Sequence, residues 1–134
     1  MKKVLILDDE IDLLEIWLYY FKTWDFPVEV HTALNGAEGL KMVETVGHYD
    51  LIITDYKMPI LNGLDFIKLF KARNEHIPTP IFFFTGFMPE LKNDIDVLDD
   101  VMIFEKPVIS QKIKSHIAAC LSDLKNMKAD IEAT

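Results

Sequence analysis

The sequence predicts an α/β fold, a doubly wound, five-stranded parallel sheet with helices on both faces. Three observations lead to this prediction. The chain has 134 residues, about the length of one domain. Half of the residues are hydrophobic, which supports a buried core and argues against disorder. Short apolar runs alternate with longer amphipathic ones, a pattern typical of parallel sheets that are covered by helices.

The first half of the chain contains three predicted strands and two predicted helices. Continuous apolar runs indicate buried strands, and apolar residues at spacings of three and four indicate helices. The elements in order are strand Val4–Leu7, helix Asp9–Trp24, strand Pro27–Thr32, helix Ala37–Val46 after the Asn35-Gly36 turn, and strand Leu51–Thr54.

The second half continues the alternation with a helix over Leu64–Arg73, strands over Ile81–Phe84 and Val101–Phe104, and a helix from Val108 almost to the end. Between the last two strands the pattern is poor. Residues 86–105 hold six acids and one base, so we expect a short or distorted helix there. This stretch is either an ordinary solvated helix, the interpretation slightly favoured, or an altered signalling surface.

Charge and composition exclude several classes of protein. With 22 acidic and 14 basic residues, the net charge of −8 disfavours direct binding to nucleic acid or anionic membrane, because phosphates are repelled. One cysteine excludes an internal disulfide framework. The apolar run at the N-terminus is too short for a signal peptide, and no stretch approaches the ~18 apolar residues of a membrane helix. We therefore expect a cytoplasmic protein.

Short motifs that each contain a polar or charged side chain follow four of the five predicted strands. The sets, in strand order, are Asp8 and Asp9, Asp55, Thr85 and Gly86, and Lys106 and Pro107. Ligands of such sheets sit beyond the carboxyl ends of the strands. In a sheet ordered 2-1-3-4-5, strands one and three are neighbours, so three carboxylates converge beside a hydroxyl and an ammonium group.

Converging carboxylates repel one another, and a hard divalent cation such as Mg²⁺ relieves the repulsion. A carboxylate can also accept a phosphoryl group, while Mg²⁺, Lys106 and the Thr85 hydroxyl neutralise the phosphoryl oxygens. Each motif has a purely structural alternative, such as Asp8 and Asp9 capping a helix. Their coincidence at four strand ends favours a Mg²⁺-dependent phosphoryl-accepting site.

These motifs resemble the receiver domain of two-component response regulators, which has the flavodoxin/CheY-like fold. The matching residues are Asp8-Asp9-Glu10, Asp55-Tyr56-Lys57-Met58-Pro59 with Gly63, Thr85-Gly86 and Lys106-Pro107. The resemblance covers about residues 2–121. It implies a receiver domain over residues 1–122, a C-terminal extension of the last helix over 123–134, and no output domain.

The resemblance also implies a role for each residue. Asp55 would accept a phosphoryl group from a histidine kinase or histidine phosphotransferase, and an unknown output protein would respond. The Mg²⁺ ligands would be Asp8, Asp9, Asp55 and the backbone carbonyl of Lys57. The phosphate contacts would be Thr85, Lys106 and the backbone amides of Tyr56 and Gly86. The bond between Lys106 and Pro107 would be a cis peptide.

One residue departs from the family pattern. Receivers usually carry Tyr or Phe three residues before the lysine, as an aromatic that turns inward with the threonine, and here that position is Ile103. Phe104 follows it, but neighbouring strand residues face opposite ways. Phe104 should therefore not replace the missing aromatic, which puts aromatic switching in question.

Two surfaces outside the site raise further expectations. On the first helix, Leu18 and Tyr19 lie outside the row of apolar residues that is predicted to face the core. They form either a surface that binds a partner or a partly exposed edge of the buried face. The apolar stripe of the last helix continues through Leu124, Met127 and Ile131. This stripe is either the seam of a weak homodimer or a frayed tail.

The functional alternatives are a phosphorylation-dependent signalling module, a phosphorylation-independent scaffold, and a Mg²⁺-dependent aspartyl phosphohydrolase. Such hydrolases usually carry a second acid two residues after the nucleophile, where this chain has Lys57. A flavin-binding protein is the weakest alternative, since no Gly/Ser/Thr-rich loop follows strand one. We therefore expect a signalling phosphoacceptor that is not an enzyme, with slow self-dephosphorylation at most.

Overall fold

The computed structural model describes residues 1–25, 27–74, 78–86, 97–106 and 111–122. Nine elements lie in these ranges. They are β1 (Lys2–Leu7), α1 (Ile11–Thr23), β2 (Val28–Ala33), α2 (Gly36–Val46), β3 (Leu51–Asp55), α3 (Gly63–Arg73), β4 (Ile81–Thr85), β5 (Met102–Glu105) and α4 (Gln111–Leu121).

The five strands form one sheet in the order β2-β1-β3-β4-β5, and every neighbouring pair is parallel. This confirms the predicted doubly wound fold. Because all strands run in the same direction, their carboxyl ends lie at one edge of the sheet, where the predicted site residues follow.

Two strands lie one residue further along the chain than the sequence predicted. β2 includes Ala33, which is in register with Leu7, and its carbonyl accepts a 3.0 Å hydrogen bond from the Asp8 amide. β5 begins at Met102 and ends at Glu105, which is in register with Thr85. Both shifts follow from pairing with the neighbouring strand, which apolar periodicity cannot reveal.

Alternating strand residues supply two separate cores. One face of the sheet, with residues such as Leu5, Ile52 and Phe83, packs against α2 and α3. The other face, with residues such as Val4 and Phe82, packs against α1 and α4. Each strand therefore sends successive side chains to opposite layers, as the pleat of a strand requires.

The loop after β3 is tied to the start of α2. Asn35 and Asn62 cap α2 and α3, each accepting a 2.8 Å bond from the backbone amide three residues on. The Gly36 amide donates to the Leu61 carbonyl at 2.8 Å, and the Gly63 amide donates to the Tyr56 carbonyl at 2.7 Å. These bonds fix the conformation of the loop that follows the end of β3.

Some sequence expectations lie outside the described residues. These are the poorly patterned stretch over 87–96, the cis peptide at Pro107, and the C-terminal extension over 123–134 with its dimer seam.

Just before β5, the Lys71 ammonium on α3 donates to the Val97 carbonyl at 2.5 Å and pairs with Asp100. Among the helices that the structure describes, none is long and apolar enough to cross a bilayer.

Candidate functional site

The ends of β1 and β3 place the predicted carboxylates side by side. Leu7 is in register with Thr54, so Asp8 and Asp55 follow at the same level of the sheet. The carboxylate oxygens of Asp8, Asp9 and Asp55 lie within 4.8 Å of one another. Asp8 and Asp55 are buried, whereas Asp9 is exposed at the rim. Three oxygens at this spacing suit a hard divalent cation.

Asp8 shows how strongly these carboxylates interact. Its pKa is raised to about 6, mainly by burial and in addition by the charges of Asp55 and Asp9. A 2.9 Å hydrogen bond from the Glu10 amide and the charge of Lys106 oppose this shift without cancelling it. The pocket is therefore short of positive charge.

Lys106 supplies the one ammonium group that reaches the carboxylates in the described part of the chain. Its Nζ lies 2.7 Å from Asp55 Oδ1. Burial alone would lower the pKa of Lys106. The pKa is nevertheless raised above its ordinary value, first by the hydrogen bond and charge of Asp55 and then by the charges of Asp8 and Glu10. Lys106 is therefore cationic at neutral pH and lies against Asp55, the predicted phosphoacceptor.

Thr85 closes β4 and is only 2% exposed. Its carbonyl accepts a 3.1 Å hydrogen bond from the Lys106 amide, which links the ends of β4 and β5. By strand alternation its side chain lies on the same face as Phe83 and Ile103, opposite the face that carries Asp55. The predicted phosphate contacts therefore come from both layers of the sheet.

The backbone groups predicted to bind ligands differ in their surroundings. The Tyr56 amide donates a 3.0 Å hydrogen bond to the Phe84 carbonyl, so contact with a phosphate requires this bond to be shared or exchanged. Gly86 is exposed, and apart from its chain neighbours no described residue has an atom within 4 Å of the position that a Cβ would take. Lys57 and Asp9 line the same open surface hollow.

The departure at Ile103 has a structural counterpart. Ile103 packs with the core on the α2 and α3 side, while Phe104 packs with the core on the α1 and α4 side. The Phe104 ring lies 5.1 Å from Phe84 and 5.3 Å from Phe82, measured between centroids. Phe104 therefore does not take the place of an aromatic at position 103, as strand alternation predicted.

Gly63 has a steric role that the sequence analysis missed. A Cβ at this position would lie 1.9 Å from the Asp55 carbonyl oxygen, so only glycine fits. The sequence signals the position through a glycine that opens a helix eight residues after Asp55, but not the contact itself. The start of α3 is thereby pressed directly against the backbone of the candidate phosphoacceptor.

The protein class is defined by a parallel five-stranded sheet that carries three carboxylates and a lysine at the ends of its strands, and comparison with known proteins identifies the family. The model of the response regulator receiver domain family matches residues 4–118. The chain belongs to this family, a component of two-component signalling systems.

Curated relatives extend beyond the part that this chain matches. The Regulator of RpoS of Escherichia coli K12 is 27% identical over 124 residues, which are 90% of this chain and 35% of that protein. The transcriptional regulatory protein PrrA of Mycobacterium tuberculosis is 26% identical over 120 residues, 89% of this chain and 49% of that protein. The chain thus spans a third to a half of these relatives.

Solved structures of similar size match along their full length. The chemotaxis protein CheY4 of Vibrio cholerae has a TM-score of 0.75 at 26% identity, covering 90% of this chain and 98% of that chain. A response regulator receiver domain protein from Clostridium thermocellum has a TM-score of 0.74 at 28% identity, covering 98% and 99%. These likenesses confirm the receiver fold.

Proposed function

We propose that this chain is a phosphorylation-dependent signalling module that accepts a phosphoryl group on Asp55. The observation that carries the proposal is the position of the Asp55 carboxylate, 2.7 Å from the Lys106 ammonium and within 4.8 Å of two further carboxylates. This arrangement combines a nucleophile with a cation that can neutralise a phosphoryl oxygen.

Mg²⁺ is the cofactor that these residues fit. The carboxylates of Asp8, Asp9 and Asp55 would hold it, with the Lys57 carbonyl as a further oxygen ligand. The bound cation would neutralise charge on the transferred group. Asp55 supplies the attacking oxygen, Lys106 pairs with a phosphoryl oxygen, and the Thr85 hydroxyl donates to another. The bond from phosphorus to the donor breaks as the bond to Asp55 forms.

The donor that we propose is a phosphohistidine of a histidine kinase or histidine phosphotransferase. Exposed apolar side chains on α1 support docking of such a partner next to the pocket. Ile11 is 59% exposed and Tyr19 is 64% exposed, and Ile16 and Leu18 are also exposed. We further propose that phosphorylation changes the binding of an output protein in the cytoplasm, and that the chain is not an enzyme, since Lys57 stands where a hydrolase usually has an acid.

A mass measurement tests the proposal. The protein is incubated with acetyl phosphate and Mg²⁺, and the intact mass is recorded over time. We expect one phosphoryl adduct on Asp55 that is labile in strong acid and in base, absent from Asp55→Asn, because an amide is a far poorer nucleophile. Asp12→Asn, which changes an exposed acid on α1, should label at the wild-type rate. Full labelling of Asp55→Asn would refute the assignment.

The same experiment separates the alternatives. Ile103 in place of an aromatic favours a phosphorylation-independent scaffold as the second candidate. A scaffold gives no adduct. A phosphohydrolase releases phosphate over many turnovers without accumulating one.

A further inference from the structure

A cavity of about 540 Å³ opens between α1 and the carboxyl ends of the central strands. Ile6, Ile53 and Phe84 form the wall on the sheet, and Leu13, Ile16 and Trp17 form the wall on α1. Small-molecule sites typically enclose 300–1,000 Å³, are mostly apolar, and carry a few polar groups at defined positions. The cavity has this size and this apolar lining.

Its polar end is strongly acidic. Asp8, Glu10 and Asp55 line it together with Lys106, so three carboxylates face one ammonium group. The Lys106 Nζ is already engaged by Asp55 at 2.7 Å, which leaves Asp8 and Glu10 without a cationic partner of their own among the lining residues. A second positive charge at this end is therefore favoured, and a negative one is opposed.

The aromatic lining supports the same ligand chemistry. Trp17 lies 5.8 Å from Phe84 between ring centroids, and Tyr20 lines the cavity on the next turn of α1. Aromatic rings attract organic cations through their faces and also pack against an apolar ligand body. The lining of the cavity thus combines apolar walls, aromatic rings and carboxylates.

We propose that this cavity binds a small organic cation, a primary amine carried on an aromatic or alkyl body. The ammonium group lies against Asp8 and Glu10, and the body packs against Trp17 and Ile16. This proposal goes beyond the phosphoacceptor role, which does not require the apolar part of the cavity. Because Mg²⁺ and the amine both use Asp8, each weakens the binding of the other, and by linkage the two effects are equal.

The test uses 2-phenylethylamine as the probe, with 2-phenylethanol and 3-phenylpropanoate as its neutral and anionic analogues. Binding to the full chain is followed by ¹H–¹⁵N chemical shifts without Mg²⁺. We expect a Kd of about 1 mM for the amine, with shifts centred on Ile6, Ile16 and Trp17. We expect each analogue to bind about tenfold more weakly. Mg²⁺ at saturation should weaken amine binding by about fivefold or more.

Two variants on α1 form a matched pair. Ile16 and Leu18 are each 41% exposed, but only Ile16 lines the cavity. Ile16→Phe should fill the cavity and weaken amine binding about fivefold, and Leu18→Phe should leave it unchanged. Equal binding of the three probes, or shifts that lie elsewhere in the wild-type protein, would overturn the proposal even if Ile16→Phe failed to fold.

Labelling of Asp55 by acetyl phosphate is measured on the same protein preparations, with Mg²⁺ added and amine left out. Intact labelling together with absent amine binding overturns the cavity proposal alone. Absent labelling together with selective amine binding overturns the phosphoacceptor proposal alone.

Discussion

At the scale of single residues, the pocket is dominated by an imbalance of charge. Lys106 neutralises Asp55 directly at 2.7 Å. Asp8 is only 5% exposed, yet its carboxylate has no ammonium of its own within the described site and accepts a hydrogen bond from the Glu10 amide instead. The metal-free fold therefore carries repulsion that a cation would relieve.

Asp8→Asn should stabilise the metal-free protein. An asparagine oxygen still accepts the bond from the Glu10 amide, while the repulsion with Asp9 and Asp55 disappears. We expect the free energy of unfolding at pH 7 to rise by about 1 kcal/mol. Urea unfolding with a chelator present measures it, and Asp65→Asn on the exposed start of α3 is the control. A lower stability of Asp8→Asn would contradict the idea of stored repulsion.

At the scale of elements, the site depends on how closely helices and loops approach the strand ends. The loop after β3 is held by the bond from Gly36 to Leu61 and by the contact of Gly63 with Asp55. At the opposite edge of the sheet, Asp50 holds the start of β1, because its carboxylate accepts a 2.8 Å bond from the Lys3 amide. The bonds from Gly36 to Leu61 and from Lys3 to Asp50 connect segments that are distant in sequence.

Gly63→Ala should disrupt the site and the fold together. The added methyl group would overlap the Asp55 carbonyl, so the start of α3 or the end of β3 must move. We expect a loss of about 2–3 kcal/mol in the free energy of unfolding and slower labelling of Asp55. Gly86→Ala is the matched control, since a Cβ there meets no atom of the described residues beyond its chain neighbours within 4 Å. Similar losses in both variants would show that the contact with Asp55 is not the cause.

Asp50 should make stability depend on pH. Burial alone would raise its pKa, but the bond from the Lys3 amide and the nearby His48 and Lys2 lower it below the ordinary value of 3.8. A carboxyl group whose folded pKa is lowered stabilises the fold above its unfolded pKa and loses that contribution as pH falls through the folded pKa.

Asp50→Asn keeps an oxygen for the Lys3 amide but removes the charge. We expect it to lower the free energy of unfolding by about 0.5–1 kcal/mol at pH 7. The difference from wild type should shrink as pH falls from about 5 through the lowered folded pKa of Asp50, because its carboxyl group then becomes neutral in both states. Urea unfolding across this range is the measurement, with the exposed turn residue Asp99 changed to Asn as control. A difference independent of pH would exclude the electrostatic explanation.

At the scale of the whole molecule, the sheet separates two cores, and residues from both of its faces contribute to the site at one edge. Asp55 and Lys106 project from the layer covered by α1 and α4, whereas Thr85 and Ile103 belong to the layer covered by α2 and α3. A group bound between Lys106 and Thr85 therefore touches both layers, so binding at this edge is coupled to the stability of the entire fold.

Mg²⁺ should accordingly stabilise the whole domain. A cation that binds only the folded state at ten times its Kd adds about 1.4 kcal/mol, which corresponds to a Tm increase of roughly 3–5 °C for a domain of this size. Thermal unfolding with 0 and 10 mM Mg²⁺ measures the shift. Asp9→Asn removes the exposed carboxylate and should abolish the increase without loss of the fold. A Tm that does not respond to Mg²⁺ would count against the metal site.

The sequence by itself determined the alternation of strands and helices, the acidic residues after β1 and β3, and the motifs that identify a receiver domain. These features are local, because period-two and 3.6-residue patterns and single side chains can be recognised without a partner. Alternation along β5 was also sufficient to predict that Ile103 and Phe104 face opposite layers.

Only the tertiary structure decided which atoms meet. The strand bounds shifted because register depends on the neighbouring strand, and the Tyr56 amide is bonded to Phe84, a residue on another strand. The contact between Gly63 and the Asp55 carbonyl depends on the angle at which α3 leaves its loop, and the cavity beside Asp55 depends on how α1 lies on the sheet. Such distances arise from packing between segments far apart in the chain, which no local pattern encodes.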